Sequence, residues 1–508
     1  MRNISTIGRA ESDHSNVAIR DLLYFFIIGL SVFAYFSISA SALRDGDTSW
    51  HLAAGKWILA HGAVPTTDPF SYTFLGRPWT AHEWLSEILM FAAYAAGGWP
   101  GLLLMFGAVS GLTFVTLAHY VRRWLSFPVA LAPLSLGFVG TINHSLARPH
   151  LFGWLLLALW MTSLLRARDL SRAPSLWTAM LMILWANLHG SFVLGLALIA
   201  PFAFEALWEA GPTDRRQAFL GWTVFGFVSL LASLITPQGL EGLIFPIKVS
   251  MMTALNHIGE WMPTAFGAIG AFEVVLLSGI FICLYKPVKV PLIRLLLIIG
   301  LLHMAFAHVR HQAVFVILSC FLLARPFALA LESEGREKPE TFLFSDLGLR
   351  QIWPILAVMA ALLGGVGMAS FTFARERPDT YGVPQAAIDH IPADLRHRPV
   401  FNEYSFGGTL ILNTIPVFID GRNDVYGDAF LDNYIKIVRG GDFEKWEAIQ
   451  KKWKIEWVIM PPDKGLVTYL DRDPDWVRIY ADKWAVIHVL KLRATTGTQP
   501  AVTDRTTE

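Results

Sequence analysis

Polar side chains in this chain are grouped at spacings that suit chemistry. Asp45, Gly46 and Asp47 follow the first long apolar run, and His51 lies one helical turn beyond Asp47, on the same face. A carboxylate with a histidine at i+4 suits a general base or a metal-binding acid at the mouth of a cavity. The plainer alternative is a helix cap, since an acid ahead of Thr48, Ser49 and Trp50 satisfies free amides and the helix dipole. His82, Glu83 and Trp84 form a second group, with Glu83 either a working carboxylate or a first-turn acid on a surface helix. Arg148, in a turn with Asn143, His144 and His150, and Arg310, flanked by His308 and His311, interrupt apolar surroundings where an unpaired charge is costly. A guanidinium binds phosphate through paired, charge-assisted hydrogen bonds; its other use here is snorkelling to lipid phosphates. Near the C-terminal end, Asp420, Arg422 and Asp424 stand in a turn after a β-type run, a usual place for binding groups, unless Arg422 simply pairs with Asp420 or Asp424.

The elements that position these groups are long apolar runs. Of the 508 residues 54% are hydrophobic and 16% charged, against roughly 25% charged in an ordinary soluble protein. Runs near 22–43, 100–121, 125–141, 149–165, 173–188, 190–208, 217–235, 270–285, 292–307, 311–331 and 352–373 predict about eleven membrane spans. With the N-terminus inside, Arg122–Arg123, Arg166–Arg172, Arg215–Arg216, Lys286–Arg294 and Arg325–Arg350 fall on the cytoplasmic side. The short outer loops then hold only Arg148, Lys248 and Arg310, a clear positive-inside pattern. That pattern makes 82–98 an amphipathic helix at the outer leaflet rather than a span. It also folds 173–204 into a hairpin turning at Asn187, His189 and Gly190. The polar groups, including Gln238, Glu241, His257 and Glu260, then converge on the outer face.

The expected organisation is a cytoplasmic N-terminus (1–21) leading into a retained signal-anchor, then a multi-span membrane domain (22–373) with a large periplasmic loop (44–99). A periplasmic α/β domain (374–493) and a disordered tail (494–508) follow. In the α/β domain, β-type runs at 399–403, 416–420, 457–460, 476–480 and 485–489 flank a helical pattern at 442–453. The formal charge of +1 offers no field for nucleic acid. Cys283 and Cys320 lie inside apolar runs and suggest packing rather than a disulfide or thiolate site. The spans lack mid-membrane acids, which argues against ion-coupled transport.

One span, an acidic motif running into an aromatic helix (Asp47, Thr48, Ser49, Trp50, His51), a second interfacial helix (His82, Glu83, Trp84), many further spans and a C-terminal extracytoplasmic domain together resemble the GT-C superfamily of membrane glycosyltransferases, in particular bacterial enzymes using lipid-linked sugars. Trp185, Asn187, His189, Gly190 and the segment 420–426 are similar to bacterial membrane proteins of the same appearance. The resemblance implies that Asp47, with Asp45 beside it, is the catalytic or metal-binding carboxylate. A divalent cation (Mg or Mn) is thereby left open as cofactor, without assigned ligands. This chain departs from the pattern by having Thr48 after Asp47 in place of an acidic pair, and His82–Glu83 where many relatives carry a basic residue and prolines.

The expectation is a mainly α, polytopic inner-membrane protein, GT-C-like, moving a sugar from a polyprenyl-phosphate carrier to a glycan, lipid or protein acceptor at the periplasmic face. Asp47, Asp45 and Glu83 are the candidate catalytic residues. Arg148, Arg310, His144 and His311 are candidates for the donor phosphate, and His51, His82, Trp84, Asn187, His189, Arg422 and Asp424 for substrate binding. The rival readings are a periplasmic glycan polymerase or ligase, and a non-enzymatic glycan-export scaffold or permease.

Overall fold

A computed structural model describes residues 4–331 and 349–491, with side chains from 19–331 and 353–491. The expected disordered tail, 494–508, and the basic residues Arg336 and Lys338 lie outside the described residues.

The membrane part runs α1 (Ile4–Ile38), α2 (Asp47–His61), α3 (Trp84–Arg122), α4 (Phe127–Thr141), α5 (His150–Asp169), α6 (Leu176–Leu188), α7 (Phe192–Glu209), α8 (Arg215–Ser233), α9 (Gly239–Ser250), α10 (Ala271–Tyr285), α11 (Leu292–Ala307), α12 (Gln312–Leu331) and α13 (Leu349–Phe373). A helix stands at every predicted span. Six of the helical segments are long and apolar enough to cross a bilayer: Ile19–Ile38, Trp84–Arg122, His150–Asp169, Phe192–Glu209, Val309–Leu331 and Trp353–Phe373. The shorter apolar helices have a physical limit: the 13 residues of α6 and the 16 of α11 rise only about 20–24 Å, against a hydrocarbon core of about 30 Å.

Two boundaries differ from expectation. The polar N-terminal stretch is helical from Ile4 onward, continuous with the first span. That span ends at Ile38, where Ser39 accepts a hydrogen bond from the Ser41 amide and starts a short 3-10 turn, Ala40–Leu43. α3 is broken at Gly97 (φ −147°) and Gly98 (φ 61°) ahead of Pro100, separating the 84–96 segment from the long apolar segment beyond. Gly98 takes the left-handed conformation that a side chain disfavours. The predicted hairpin is present: α6 ends at Leu188, His189 is extended, and α7 starts at Phe192.

A buried ionic cluster ties the ends of α5, α7 and α11 remote from Asp47. Glu205 Oε1 accepts from Arg294 Nε at 2.8 Å, and its Oε2 faces Arg168 Nε at 3.4 Å.

The C-terminal unit contains α14 (Gln385–Asp389), β1 (Val400–Asn402), α15 (Gly407–Leu412), α16 (Asn423–Val438), α17 (Phe443–Trp453), β2 (Trp457–Met460), α18 (Gly465–Leu470), β3 (Trp476–Ala481) and β4 (Val486–Leu490). The sheet order is β1-β2-β4-β3, with β1 parallel to β2 and the other pairs antiparallel. Every residue of β2 is buried, as the continuous apolar run Trp457–Met460 requires. Asp442 caps α17 by accepting from the Lys445 amide.

One predicted strand is absent from the sheet. The 417–420 segment is buried outside the sheet ladder and bonds to the 44–99 loop: the Tyr72 amide donates to the Val417 carbonyl at 3.1 Å and the Thr73 hydroxyl to the Phe418 carbonyl at 2.7 Å, while the Asn402 side chain of β1 accepts from the Phe418 amide and donates to the Ile419 carbonyl. Its β character is satisfied by a remote stretch of chain, which also pins the C-terminal unit to that loop.

Candidate active site

Asp47 is the first residue of α2, and the backbone before it is fixed from several sides. The Asp47 amide donates to Asp45 Oδ1 at 3.0 Å. Arg377, just past α13, donates to the carbonyls of Leu43 and Asp45 and to the Ser49 hydroxyl, while its guanidinium lies 4.9 Å from the Trp99 ring centre. Gly46 is pressed against the C-terminal unit: a Cβ there would stand 2.0 Å from the Ser405 carbonyl oxygen.

Around Asp47 lies one connected ionic cluster. Arg148 Nη2 meets Asp47 Oδ2 at 2.8 Å, and its Nη1 meets both Asp45 Oδ2 and Glu260 Oε2 at 3.0 Å. The other oxygen of Glu260 faces Arg310 Nη1 at 3.4 Å, and the Arg310 guanidinium stacks 4.2 Å from the Trp261 ring centre. Four separate stretches of chain therefore deliver Asp45 and Asp47, Arg148, Glu260, and Arg310 to one place. Burial pushes the Asp47 carboxyl up to about 7, with Arg148 pulling the other way. Burial also works to raise Glu260, but Arg148 and Arg310 outweigh it and hold that carboxyl at about 2.

A second group sits beside it. Glu83 Oε1 lies 3.4 Å from His189 Nε2 and 3.6 Å from His82 Nε2, and its Oε2 lies 3.8 Å from His51 Nε2. Because the Ser191 amide donates to His189 Nδ1 at 3.1 Å, the neutral His189 ring carries its proton on Nε2 and presents it to Glu83. The other ring nitrogen of His51 faces Glu87 at 3.4 Å, and the second Glu87 oxygen is buried without a hydrogen-bond partner. Burial raises Glu83 to about 7 against Arg148 and Arg310, and lowers the His51 ring well below its ordinary value. Asp424, in the first turn of α16, is raised to about 6 by burial, with His82 opposing.

Several sequence candidates take other roles. Arg422 is buried: its Nε and Nη2 bind Asp420 at 2.8 and 2.6 Å and its Nη1 binds Asp68 at 2.7 Å, with the guanidinium 4.7 Å from the Trp79 ring centre. With these donors committed it is a clasp between the 44–99 loop and the C-terminal unit. Trp84 and Asn187 likewise engage each other. The Trp84 indole donates to Asn187 Oδ1 at 2.8 Å, and Asn187 Nδ2 donates to the Ile183 and Ile235 carbonyls, which uses up the amide hydrogens. His144 Nε2 faces Gln312 Oε1 at 3.1 Å, and His311 Nδ1 faces the Met304 carbonyl at 3.4 Å, so these rings brace the arginine-bearing turns.

Among the described residues, no group of three or more His, Cys, Asp or Glu side chains is arranged to hold a metal ion. Between Asp45, Asp47 and Glu260 the positive charge is the Arg148 guanidinium itself. This donor set does not fit the divalent cation that the resemblance left open.

Gly421 closes the site from the C-terminal side, since a Cβ there would stand 2.0 Å from Asp47 Oδ1. Gly421→Ala is therefore expected to displace the Asp47 carboxylate and to destabilise the protein by about 1–3 kcal/mol, the usual cost of overpacking a filled site. The thermal midpoint of the purified variant checks this; an unchanged midpoint means that the carboxylate tolerates displacement.

Neither the known family models nor the curated proteins match the sequence. Solved structures do. The oligosaccharyltransferase of Archaeoglobus fulgidus, in its apo form, is 12% identical, with 86% of this chain and 70% of that chain covered at a TM-score of 0.49. ArnT from Cupriavidus metallidurans, bound to undecaprenyl phosphate, is 13% identical, with 92% of this chain and 97% of that chain covered at a TM-score of 0.51. The chain shares the fold of ArnT. The ArnT likeness carries that statement, because it spans nearly the whole length of both chains. With six helices long and apolar enough to cross a bilayer, the chain is a membrane protein.

Proposed function

We propose that the chain is an integral inner-membrane glycosyltransferase moving a sugar from a polyprenyl-phosphate carrier to a glycan, lipid or protein acceptor at the periplasmic face. The observation that supports it best is the single cluster joining Asp47 to Arg148 and Arg310. A carboxylate and two guanidiniums at the ends of apolar helices match what transfer from a lipid phosphate requires. The acceptor oxygen attacks the anomeric carbon, the bond from that carbon to the phosphate oxygen breaks, and the lipid phosphate leaves with the electron pair.

In this reading Asp47 takes the acceptor hydroxyl proton, a task suited to a carboxyl at about 7. Arg148 and Arg310 stabilise the negative charge that grows on the departing phosphate. Glu83, with His51, His82 and His189 turned towards it and Asp424 nearby, forms a polar wall that binds sugar or acceptor hydroxyls. Asp45 keeps Arg148 in place.

The test is binding of undecaprenyl phosphate to the purified protein in lipid nanodiscs. Arg148→Ala is expected to weaken binding by about tenfold or more, the value of a charge-assisted pair. Equal affinity in wild type and variant overturns the phosphate assignment.

A further inference from the structure

Three carboxylates, Asp45, Asp47 and Glu260, already share two guanidiniums, Arg148 and Arg310. A lipid phosphate entering this cluster adds a further negative charge and needs the same N–H donors. One carboxylate must therefore give way, and the structure distinguishes which.

Asp45 and Asp47 sit on backbone held by Arg377 and pressed against Ser405. Their side chains are 19% and 15% exposed. Glu260 is more open, at 32%, and stands on a loop between α9 and α10 rather than on a long helix. It bridges both arginines, one oxygen to each, so it occupies the position between them where a phosphate would bind both. Its loop is a strap with two moorings. On one side Asp428 of α16 accepts from the amides of Thr253 and Ala254 and from the Thr253 hydroxyl. On the other, the Val309 amide donates to the Met262 carbonyl at 3.0 Å and His308 Nδ1 meets the Trp261 carbonyl at 2.6 Å.

We infer that Glu260 is a displaceable counter-ion of the phosphate subsite, engaging Arg148 and Arg310 until a lipid phosphate takes its place. The inference rests on the donor-phosphate role proposed above for these arginines. Carboxylate and phosphate are alternative bidentate partners of a guanidinium, so the exchange leaves no arginine unpaired at any stage. Glu260 thereby sets how strongly an anion must bind to enter, and it discriminates against weak, diffusely charged anions. Once displaced, it leaves its strap held by its other moorings, among them Asp428 and the Met262–Val309 and Trp261–His308 contacts, but no longer tied to the arginines.

The experiment measures undecaprenyl phosphate binding in nanodiscs for wild type, Glu260→Gln, and Glu241→Gln, a control acid that pairs with Lys248 on α9. Glu260→Gln removes the competing charge at constant shape and is expected to tighten binding by about tenfold, with Glu241→Gln unchanged. Unchanged or weaker binding in Glu260→Gln overturns the inference. Hydrogen exchange in wild-type protein is the second readout. Segment 251–264 is expected to exchange faster when undecaprenyl phosphate is bound, because its link to the arginines is broken; slower exchange overturns displacement. If neither wild type nor any variant binds undecaprenyl phosphate, the proposed function itself fails, an outcome distinct from the failure of Glu260 alone.

Discussion

Asp47→Asn is expected to lower sugar transfer by about 100- to 10,000-fold, the usual contribution of a positioned general base, with the protein still folded and still binding undecaprenyl phosphate. Asparagine preserves the shape that fits beneath Gly421 and keeps an oxygen for Arg148, but it cannot take a proton. The pH profile supplies a sharper criterion. A base works only as the carboxylate, so with the Asp47 carboxyl raised to about 7 by burial, turnover in wild type rises as pH increases through 7 and levels off above it. In Asp47→Asn that rise disappears along with most of the rate. A variant that keeps the rise at a reduced rate transfers the proton-accepting role to Glu83, whose carboxyl is also raised to about 7. Full activity in the variant refutes the base assignment and leaves Asp47 as a first-turn acid and arginine partner.

Arg422→Met is expected to destabilise the protein by about 3–5 kcal/mol, the cost of removing one partner from a buried ionic network. Methionine fills much of the space between Phe70 and Trp79, so the loss reports on charge more than on volume. What remains is a pair of buried carboxylates, Asp68 and Asp420, each less than 1% exposed at its side chain and deprived of the cation between them. Thermal unfolding of the detergent-purified protein measures the change. Because the clasp joins the 44–99 loop to the C-terminal unit, limited proteolysis is expected to free that unit in the variant at temperatures where wild type resists. A midpoint within a degree of wild type shows that the clasp contributes little.

The helices were legible in the sequence because hydrophobicity is a local property: every predicted span contains a helix, and the break at Gly97–Gly98 stands where the charge pattern required 82–98 to be separate. The grouping of Asp47, Arg148 and Arg310 was legible for a related reason, since a charge in apolar surroundings has to meet a partner. Pairing beyond that depends on chain geometry that no window reveals. Arg377 looks no different in the sequence from nearby Arg375, yet it holds the backbone leading to Asp47 from over 300 positions away. Glu260 was visible as one of several acids at the ends of spans, without a sign that it alone joins both arginines. The pairing of Arg422 with Asp420 was one of the readings open at the start, because the partners are two positions apart. Its third partner, Asp68, was beyond reach. For the same reason 416–420 reads as a strand of the C-terminal sheet: its apolar run is real, but its partners come from residues 72 and 73 and from the Asn402 side chain rather than from a sheet ladder.

The lock on Asp47 by Arg377, Ser405 and Gly421 has a consequence for biosynthesis. A ribosome delivers the acid and both arginines early, but the residues that fix Asp47 in position emerge only after the last span has been made. A nascent chain holding every earlier helix therefore carries an unassembled centre, and competence arrives in one step when the final segment docks. On the role proposed for Asp47, a chain that stops before residue 421 is expected to be inert rather than poorly regulated, because it lacks a contact that positions this carboxylate.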